Sequence, residues 1–438
     1  MRSMGKLDIA GVVAKVAAGT AVDEASAALG ARYRRDHLPA GVTPTAFHQM
    51  DPAVLDDPYP SYRELLRGGP VHYNPRRHLW ILSHHQHVRE AAKSDRVLSS
   101  AEGVARSRFS LPMMLTRDRP EHTRMRQLAI PAFTRRALES WQPVIDELAA
   151  ELVGELAAAR GGDAVKQLAV PLPIRVIAHI LGIPPEDYAR FRLWSDKAVQ
   201  ATDIELRPAA LKKSGNVLAG LLRLHSYFHE RMAAGRLLES GTVLGRLVDA
   251  AEGGDIDPDE LFWFAILLLL AGHETTTNLI GGLVHSLAVN PDQYELLRER
   301  PDLIPSAVEE QLRFGTPIQG FYRTALQDYE VESATIPRGG RVLLLFAAAN
   351  RDPRQFTDPD SFVVERNPTS HVSFGYGVHM CLGAQLARME GQAVLRELVG
   401  RAGRIEITGK PVWKPNSTLR GLDELPVRLG VSGPGQRP

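Results

Sequence analysis

A single cysteine lies inside a ten-residue stretch, Phe374 to Gly383, that reads FGYGVHMCLG. Cys381 is the only cysteine among 438 residues. Three glycines surround it: Gly375, Gly377 and Gly383. Glycine costs backbone entropy, so such a cluster indicates positive φ angles or the close approach of another group. Because residues 384–398 are rich in helix formers with helical periodicity, Cys381 is expected in a tight loop at a helix N-terminus, which lowers a thiol pKa.

A thiolate in this position has three chemical uses in proteins, as a nucleophile, a zinc ligand or an iron ligand. Zinc takes about four ligands, and Cys381 with His379 supplies only half of them. A nucleophile needs a base, and His379 lies on the same loop rather than on a separate element. A haem ligand needs one cysteine, glycines that admit a flat macrocycle and an aromatic shield, for which Phe374 is available. The glycine spacing disfavours the remaining reading, a purely structural buried cysteine.

The stretch FGYGVHMCLG resembles the haem-binding loop of the cytochrome P-450 superfamily, FGxGxHxCxG, and the resemblance extends from about residue 58 to the end of the chain. It implies a mainly α fold with small β-sheets, in which haem lies between a long oxygen-activating helix and the helix that follows the cysteine loop. It also implies heme b (iron protoporphyrin IX) as cofactor, with Cys381 as its metal ligand. The residues that it places at the haem are Cys381, His122, Arg126, Arg323, His379, Phe374, Gly375, Gly377, Gly383 and Ala271.

Two arginine motifs extend this resemblance. PEHTRMR, residues 120–126, puts His122 and Arg126 on one face of a predicted helix, and it resembles the family's propionate-binding helix, although alone it reads as a pair of surface charges. The helix predicted for residues 306–314 contains Glu310 and Arg313 in the pattern ExxR. An exposed pair at this spacing contributes under about 1 kcal/mol. The resemblance implies a buried structural pair that also binds Arg366 and is required for haem-loaded folding.

One long helix is predicted from Asp257, which precedes a proline and two acidic residues, to Asn290. It is apolar on every side from Leu261 to Ala271, so it is expected to cross the core. The polar run AGHETT, residues 271–276, then follows. Thr275 has a structural reading, a hydroxyl bonded back to the carbonyl four residues earlier. AGHETT also resembles the family's oxygen-activating motif, which implies two catalytic residues: Thr275 beside bound oxygen and Glu274 as the proton-relaying acid.

Local patterns predict the elements that surround the expected site. A β-hairpin is predicted from residues 71–73 and 79–82, and the next helix is predicted to start near Ser83 as its N-cap. Residues 95–117 form a long irregular segment, which in the resembled family covers the substrate. The predicted substrate pocket comprises Phe109, Leu111, Met113, Met114, Leu268, Ala271, Thr275, Ile318, Gln319, Phe321 and Thr418.

Composition restricts the partners. Lysine plus arginine (52) nearly balance aspartate plus glutamate (51), so no nucleic-acid partner is expected. No apolar run reaches the roughly 20 residues that span a bilayer, so no membrane segment is expected. The single cysteine fits a reducing cytoplasm. We expect a monomer with an N-terminal extension (1–40), one haem-thiolate monooxygenase domain (41–431) and a flexible tail (432–438).

The resemblance implies a monooxygenase that inserts one atom of O2 into a small apolar organic substrate, by hydroxylation or O-demethylation. Electrons are expected from a separate ferredoxin and ferredoxin reductase, because one cysteine cannot hold an iron–sulfur cluster; Arg124, Arg135 and Arg136 are candidates for the docking face. Residues 317–322 and VHMCLG resemble the branch that acts on small aromatic acids. Two alternatives are a peroxide-driven haem-thiolate peroxygenase and a non-catalytic haem-binding sensor or recruitment protein.

Overall fold

Helices form most of this computed structural model, which describes residues 31–106, 108, 110–199, 210–234, 242–250 and 258–431. The α-helices of these residues are α1 (Ala31–Asp36), α2 (Pro52–Asp56), α3 (Tyr59–Arg67), α4 (His85–Lys93), α5 (Glu121–Ala129), α6 (Arg135–Ala158), α7 (Pro171–Ile180), α8 (Tyr188–Val199), α9 (Ala210–Ala233), α10 (Val243–Ala250), α11 (Pro258–Val289), α12 (Pro291–Glu299), α13 (Ile304–Gly315), α14 (Phe346–Ala349) and α15 (Ala384–Arg401).

The strands are short and form small sheets, as the sequence predicts. They are β1 (Thr43–Pro44), β2 (Val71–Asn74), β3 (Leu79–Leu82), β4 (Leu98–Ser99), β5 (Gly161–Asp163), β6 (Phe321–Ala325), β7 (Tyr329–Val331), β8 (Ala334–Ile336), β9 (Arg341–Leu344), β10 (Ala402–Ile407), β11 (Val412–Trp413), β12 (Leu422–Glu424) and β13 (Pro426–Val431). The largest sheet has the order β1-β2-β3-β9-β6-β4, and a three-stranded sheet has the order β10-β13-β5.

The predicted hairpin is present, since β2 and β3 pair antiparallel with Val71 opposite Leu82. The helix after it starts differently from the prediction. Its cap residue is His84, which makes no side-chain capping bond, and α4 begins at His85. The Oδ2 atom of Asp352 accepts the bond from the His85 amide at 2.9 Å. A distant carboxylate therefore takes the capping role that the sequence assigns to Ser83.

Helix α11 crosses the largest core cluster, as its apolar sequence predicts. Phe262, Trp263 and Ala265 on this helix are almost fully buried, and they pack in the same cluster as residues of α6, α7 and α15. Although α11 is long and apolar, no helix of the described residues meets the length and hydropathy that crossing a membrane requires. The predicted extension and tail fall largely outside the described ranges, so those boundaries remain predictions.

Candidate active site

A deep cavity of about 1500 Å³, counting its opening, lies between α11 and the cysteine loop. We use the name cysteine loop for Phe374–Gly383. Ala271 and Thr275 line the cavity from α11, and Cys381 lines it from the loop. The structure thus brings together the two motifs that the sequence separates by about a hundred positions.

The conformation of the cysteine loop explains two of its three glycines. Gly375 and Gly377 have φ angles of +68° and +74°, which side chains with a Cβ rarely adopt. A Cβ on Gly377 would also lie 2.7 Å from the carbonyl oxygen of Ala92. Gly383 has an ordinary φ of −84°, and a Cβ built there would meet no protein atom within 4 Å. The space beside Gly383 belongs to the cavity, so this glycine leaves room for a bound group.

The Cys381 sulfur faces the cavity and is accessible within it. Burial deep in the protein raises the pKa of the Cys381 thiol, although the Gly383 amide and the charges of Arg126 and Arg388 oppose this. The expected lowering by the helix terminus is therefore wrong for the protein alone, because desolvation outweighs it. A bound cation that coordinates the sulfur would supply the missing stabilisation of the thiolate.

Four basic side chains with N–H donors converge at one end of the cavity: His122, Arg126, Arg323 and His379. The rings of His122 and His379 lie 4.2 Å apart. Burial, followed by the charges of Arg323 and His122, lowers the pKa of His379 to about 2. Burial likewise lowers the pKa of Arg323 to about 10. The charges of the buried Arg323 and the half-buried Arg126 are costly here unless an anion joins them.

The described residues that line the cavity supply no such anion. Glu390 on α15 is the one carboxyl group among them, and burial raises its pKa well above the ordinary value, which disfavours its charged form. The Nδ1 atom of His122 is buried without a hydrogen-bond partner in the described part of the chain. These features fit an iron porphyrin with two propionates. The Cys381 thiol can bind the iron, the space beside Gly383 can hold the ring, and the N–H donors can bind the propionates.

Helix α11 presents small and polar residues to this cavity. The Thr275 hydroxyl donates to the carbonyl of Ala271, as the structural reading of the sequence proposes, and both residues face the cavity. Gly272 packs closely on α7, because a Cβ there would lie 2.9 Å from Ile177 Cδ1. The helix remains continuous through this segment, so the site keeps a hydroxyl on a rigid wall.

The structure places Glu274 behind this wall rather than on it. Glu274 is buried and does not belong to the cavity lining, and Lys414 Nζ lies 3.3 Å from its Oε1 atom. The neighbouring His273 is also buried, and burial followed by the charge of Lys414 lowers its pKa to about 4. The sequence gives no sign of Lys414, which lies 140 positions from its partner.

The predicted structural residues meet in the core. Arg313 donates two bonds of 2.8 Å to the carboxylate of Glu310, and neither side chain is exposed (0%). Arg366 Nε lies 3.1 Å from the same carboxylate. Arg313 also donates to the backbone carbonyl groups of Asn350, Pro359 and Ser361. The motif thereby joins α13 to the chain that leads into the cysteine loop.

A second network, which no sequence motif indicates, supports the cysteine loop from α13. Glu309 accepts bonds from His371 Nε2 at 3.1 Å and from Arg388 Nε at 2.6 Å. The Arg388 guanidinium lies 4.6 Å from the centre of the Phe374 ring. Glu309 thus fixes the predicted aromatic shield through an arginine of α15. The only sign of Glu309 in the sequence is its position directly before Glu310, which makes two consecutive glutamates.

We predict that Glu309→Gln lowers stability at neutral pH and flattens its acid dependence. Burial alone would raise the pKa of Glu309, but bonds from His371 and Arg388 outweigh it and lower the pKa to about 2, from an ordinary 4.5. A depressed folded-state pKa contributes stability above about pH 4.5, which is lost as the pH falls towards 2. Thermal unfolding between these values checks this, with Glu330→Gln, at an exposed position, as control. A wild-type acid dependence in Glu309→Gln would contradict the role.

The predicted pocket residues divide into three groups. Those that line the cavity are Met114, Leu268, Ala271, Thr275, Ile318 and Phe321. Four others lie outside the lining: Leu111, Met113, Gln319 and Thr418. Leu111 and Met113 are core residues, and the Thr418 amide is held in a turn by Asn416. Phe109 lies outside the described residues. Ile177 and Ile180 also line the cavity, and the sequence does not indicate them because only the fold brings α7 to this wall. Phe264 and Leu267 of α11 line it too; this part of the helix is apolar on every side, so the sequence does not show which face meets the cavity.

Gln319 is the clearest correction. Its Oε1 atom accepts from the Tyr62 hydroxyl at 2.6 Å, and its Nε2 atom donates to the Thr316 carbonyl at 2.6 Å. Because successive side chains of an extended segment point to opposite sides, Ile318 reaches the cavity and its neighbour Gln319 binds α3 instead.

Known proteins share this architecture. The family model described as Cytochrome P450 matches residues 242–402. The Beta-dihydromenaquinone-9 omega-hydroxylase of Mycobacterium tuberculosis is 48% identical over 417 residues, which cover 95% of this chain and 84% of that protein. The Vitamin D(3) 25-hydroxylase of Pseudonocardia autotrophica is 35% identical and covers 85% of this chain and 94% of its own length.

Solved structures agree with these relatives. The crystal structure of CYP109E1 from Bacillus megaterium in complex with testosterone superposes with a TM-score of 0.78 at 32% identity, covering 86% of this chain and 100% of that one. CYP109Q5 from Chondromyces apiculatus gives a TM-score of 0.79 at 30% identity, covering 89% and 99%. Together with the cysteine loop and its cavity, these similarities show that the chain belongs to the cytochrome P450 superfamily and is a haem-thiolate monooxygenase.

Proposed function

We propose that this enzyme hydroxylates the end of a long, uncharged apolar chain, such as the isoprenoid tail of a quinone. One observation carries the proposal: away from the cysteine loop, the described cavity wall is almost entirely apolar, with Ile177, Phe264 and Leu268 among its residues. The basic side chains that line the cavity are His122, Arg126, Arg323 and His379, and these would hold the propionates. A substrate carboxylate therefore finds no further cation in the described lining, which favours a neutral chain over an aromatic acid.

The relative that is 48% identical supports the same substrate class, because its name describes omega-hydroxylation of a menaquinone. A tail that enters an apolar cavity end-first is held by hydrophobic burial, at about 25 cal/mol per Å² of apolar surface. A tail that enters end-first presents its terminal carbon to the cysteine-loop end of the cavity, so hydroxylation at the chain end is expected. O-demethylation would require a methoxy group at that position instead.

We propose heme b as the cofactor, with Cys381 as its iron ligand. When bound, the haem supplies the iron at which O2 is reduced and activated. His122, Arg126, Arg323 and His379 hold its propionates, and Phe374 shields the sulfur. Thr275 keeps a proton on its hydroxyl at the cavity wall. Behind it, Glu274 takes up protons beside the Lys414 side chain, which is 25% exposed and so links the buried carboxyl, 10% exposed, to solvent.

We propose that a ferredoxin and its reductase deliver the electrons to a monomeric, cytoplasmic enzyme. Two of the expected docking arginines already have partners, since Arg124 pairs with Glu260 and Arg135 with Glu139. Arg136 is exposed, and it is the better candidate of the three. Turnover with peroxide but with no ferredoxin would favour the peroxygenase alternative.

The substrate proposal is tested by titrating the ferric protein with a prenylated naphthoquinone and, separately, with a methoxybenzoic acid. The quinone is expected to give the spin-state shift of the haem spectrum at lower concentration, and turnover should add one hydroxyl to its tail. Leu268→Gln should weaken quinone binding about tenfold or more, because burial of an unpaired amide costs about 1–3 kcal/mol. Val248→Gln, at a position 40% exposed, is the control. Tighter binding of the acid would overturn the proposal.

We also predict that Arg323→Gln accelerates haem loss without preventing folding. A charged hydrogen bond contributes about 1.5–3 kcal/mol, which corresponds to roughly 10–150-fold in haem affinity. Arg341 is a matched control, because it is also buried with a pKa lowered to about 10 but donates to the backbone of Gly103. Haem transfer to an acceptor protein measures the rate. Equal acceleration in Arg341→Gln would show that Arg323 acts only through folding.

A further inference from the structure

Two histidines and an aspartate meet on the outer part of the fold, and none of them lines the cavity. His225 and His229 are one turn apart on α9, and Asp259 lies in the first turn of α11. Each offers one ligand atom, and the three atoms all lie within 4.8 Å of one another. The imidazole rings are stacked with their centres 3.9 Å apart. The side chains of two different helices therefore already converge on one point.

The tautomer of His229 is determined by its backbone contact. Its Nδ1 atom lies 3.1 Å from the carbonyl oxygen of His225, and because a carbonyl oxygen only accepts, Nδ1 carries the hydrogen. The Nε2 atom then faces the Asp259 carboxylate at 3.4 Å. When His229 is protonated its Nε2 donates to Asp259, and a metal ion between the two atoms would take the place of that proton. The separation also equals the edge of a tetrahedron around zinc with bonds of about 2.1 Å, which is roughly 3.4 Å.

The surroundings suit a metal ion. The ring of Phe262 contacts both imidazoles, with centre distances of 4.9 Å to His225 and 6.1 Å to His229, so one side of the site is apolar. The other side is open, because the side chains of His229 and Asp259 are 34% and 17% exposed. An ion can therefore enter from solvent, and a water molecule can complete its coordination.

We propose that His225, His229 and Asp259 form a binding site for a divalent transition metal, with zinc as the first candidate. Two imidazoles and one carboxylate are the ligand types that zinc prefers, and they exclude the hard cations Mg²⁺ and Ca²⁺, which select oxygen. The ion would join α9 to the start of α11, the helix that forms one wall of the cavity. This site is independent of the proposed substrate and of haem binding.

The test uses the full-length holoenzyme without an affinity tag, in which Cys381 is expected to be occupied by iron. After treatment with EDTA, zinc is titrated by calorimetry, and X-ray absorption at the zinc edge counts the imidazole ligands. The wild type is expected to bind one equivalent with two imidazoles. His229→Gln and Asp259→Asn should each weaken this binding about tenfold or more, in line with the sensitivity of metal sites, while thermal unfolding in EDTA shows whether each variant is folded.

His87→Gln is the matched control. His87 Nε2 lies 3.1 Å from Glu332 Oε1, so it forms a histidine–carboxylate pair that belongs to no three-ligand group of the described residues. It should bind zinc like the wild type. If His229→Gln does not fold, Asp259→Asn, which preserves the size of the side chain, decides the question. The proposal is overturned if wild type shows no saturable zinc binding, or if a folded His229 or Asp259 variant binds as tightly.

Discussion

Glu310→Ala is expected to destabilise the protein by about 3–5 kcal/mol and to yield protein that contains little haem. The substitution leaves the guanidinium of Arg313, which is 0% exposed, without its two bonds to a carboxylate, and an unpaired buried charge has a cost of this size. Arg366 loses the same partner, so the chain before the cysteine loop loosens as well. Denaturant unfolding measures the free energy, and the ratio of haem to protein measures loading.

Two further variants make this result specific. Glu330→Ala, at an exposed position, should change stability by no more than about 0.5 kcal/mol. The double variant Glu310→Met with Arg313→Leu removes both buried charges, so it should recover part of the loss. Full haem content and wild-type stability in Glu310→Ala would show that the buried pair is dispensable.

Cys381→Ser is expected to abolish monooxygenase activity while the chain still folds. A serine hydroxyl is a far weaker acid than a thiol, so it stays protonated and cannot replace the thiolate as an anionic ligand. The four basic side chains His122, Arg126, Arg323 and His379 remain, so the variant should retain some porphyrin, and its turnover should fall to the background rate. Leu326→Ser, at a position 50% exposed, introduces the same residue without effect on turnover. Measurable hydroxylation by folded Cys381→Ser would contradict the assignment of the ligand.

Local patterns predict the cysteine loop, the long helix and the ExxR helix well, because glycine spacing and helical periodicity act within a few residues. The capping of α4 shows the limit. Ser83 satisfies the local rule for an N-cap, yet the His85 amide donates to Asp352, which lies 267 positions after His85. Contacts between distant segments depend on the assembled fold, so they cannot be predicted from local patterns in a single sequence.

The same limit applies within the site. Two ion pairs of the site join segments that are far apart in the chain: Lys414 with Glu274, and Arg388 with Glu309. A local motif can identify at most one residue of such a pair. The pKa of Cys381 is a further case. The sequence indicates the helix N-terminus, which lowers the pKa, but it does not indicate the burial, which raises the pKa by more.

The central claim is that the Cys381 thiolate binds the iron of a haem, and one spectrum tests it most directly. Purified, haem-loaded wild-type protein is reduced and exposed to carbon monoxide. We expect the red-shifted Soret band that thiolate ligation produces. An unshifted band from protein that is correctly folded and fully loaded with haem would contradict it.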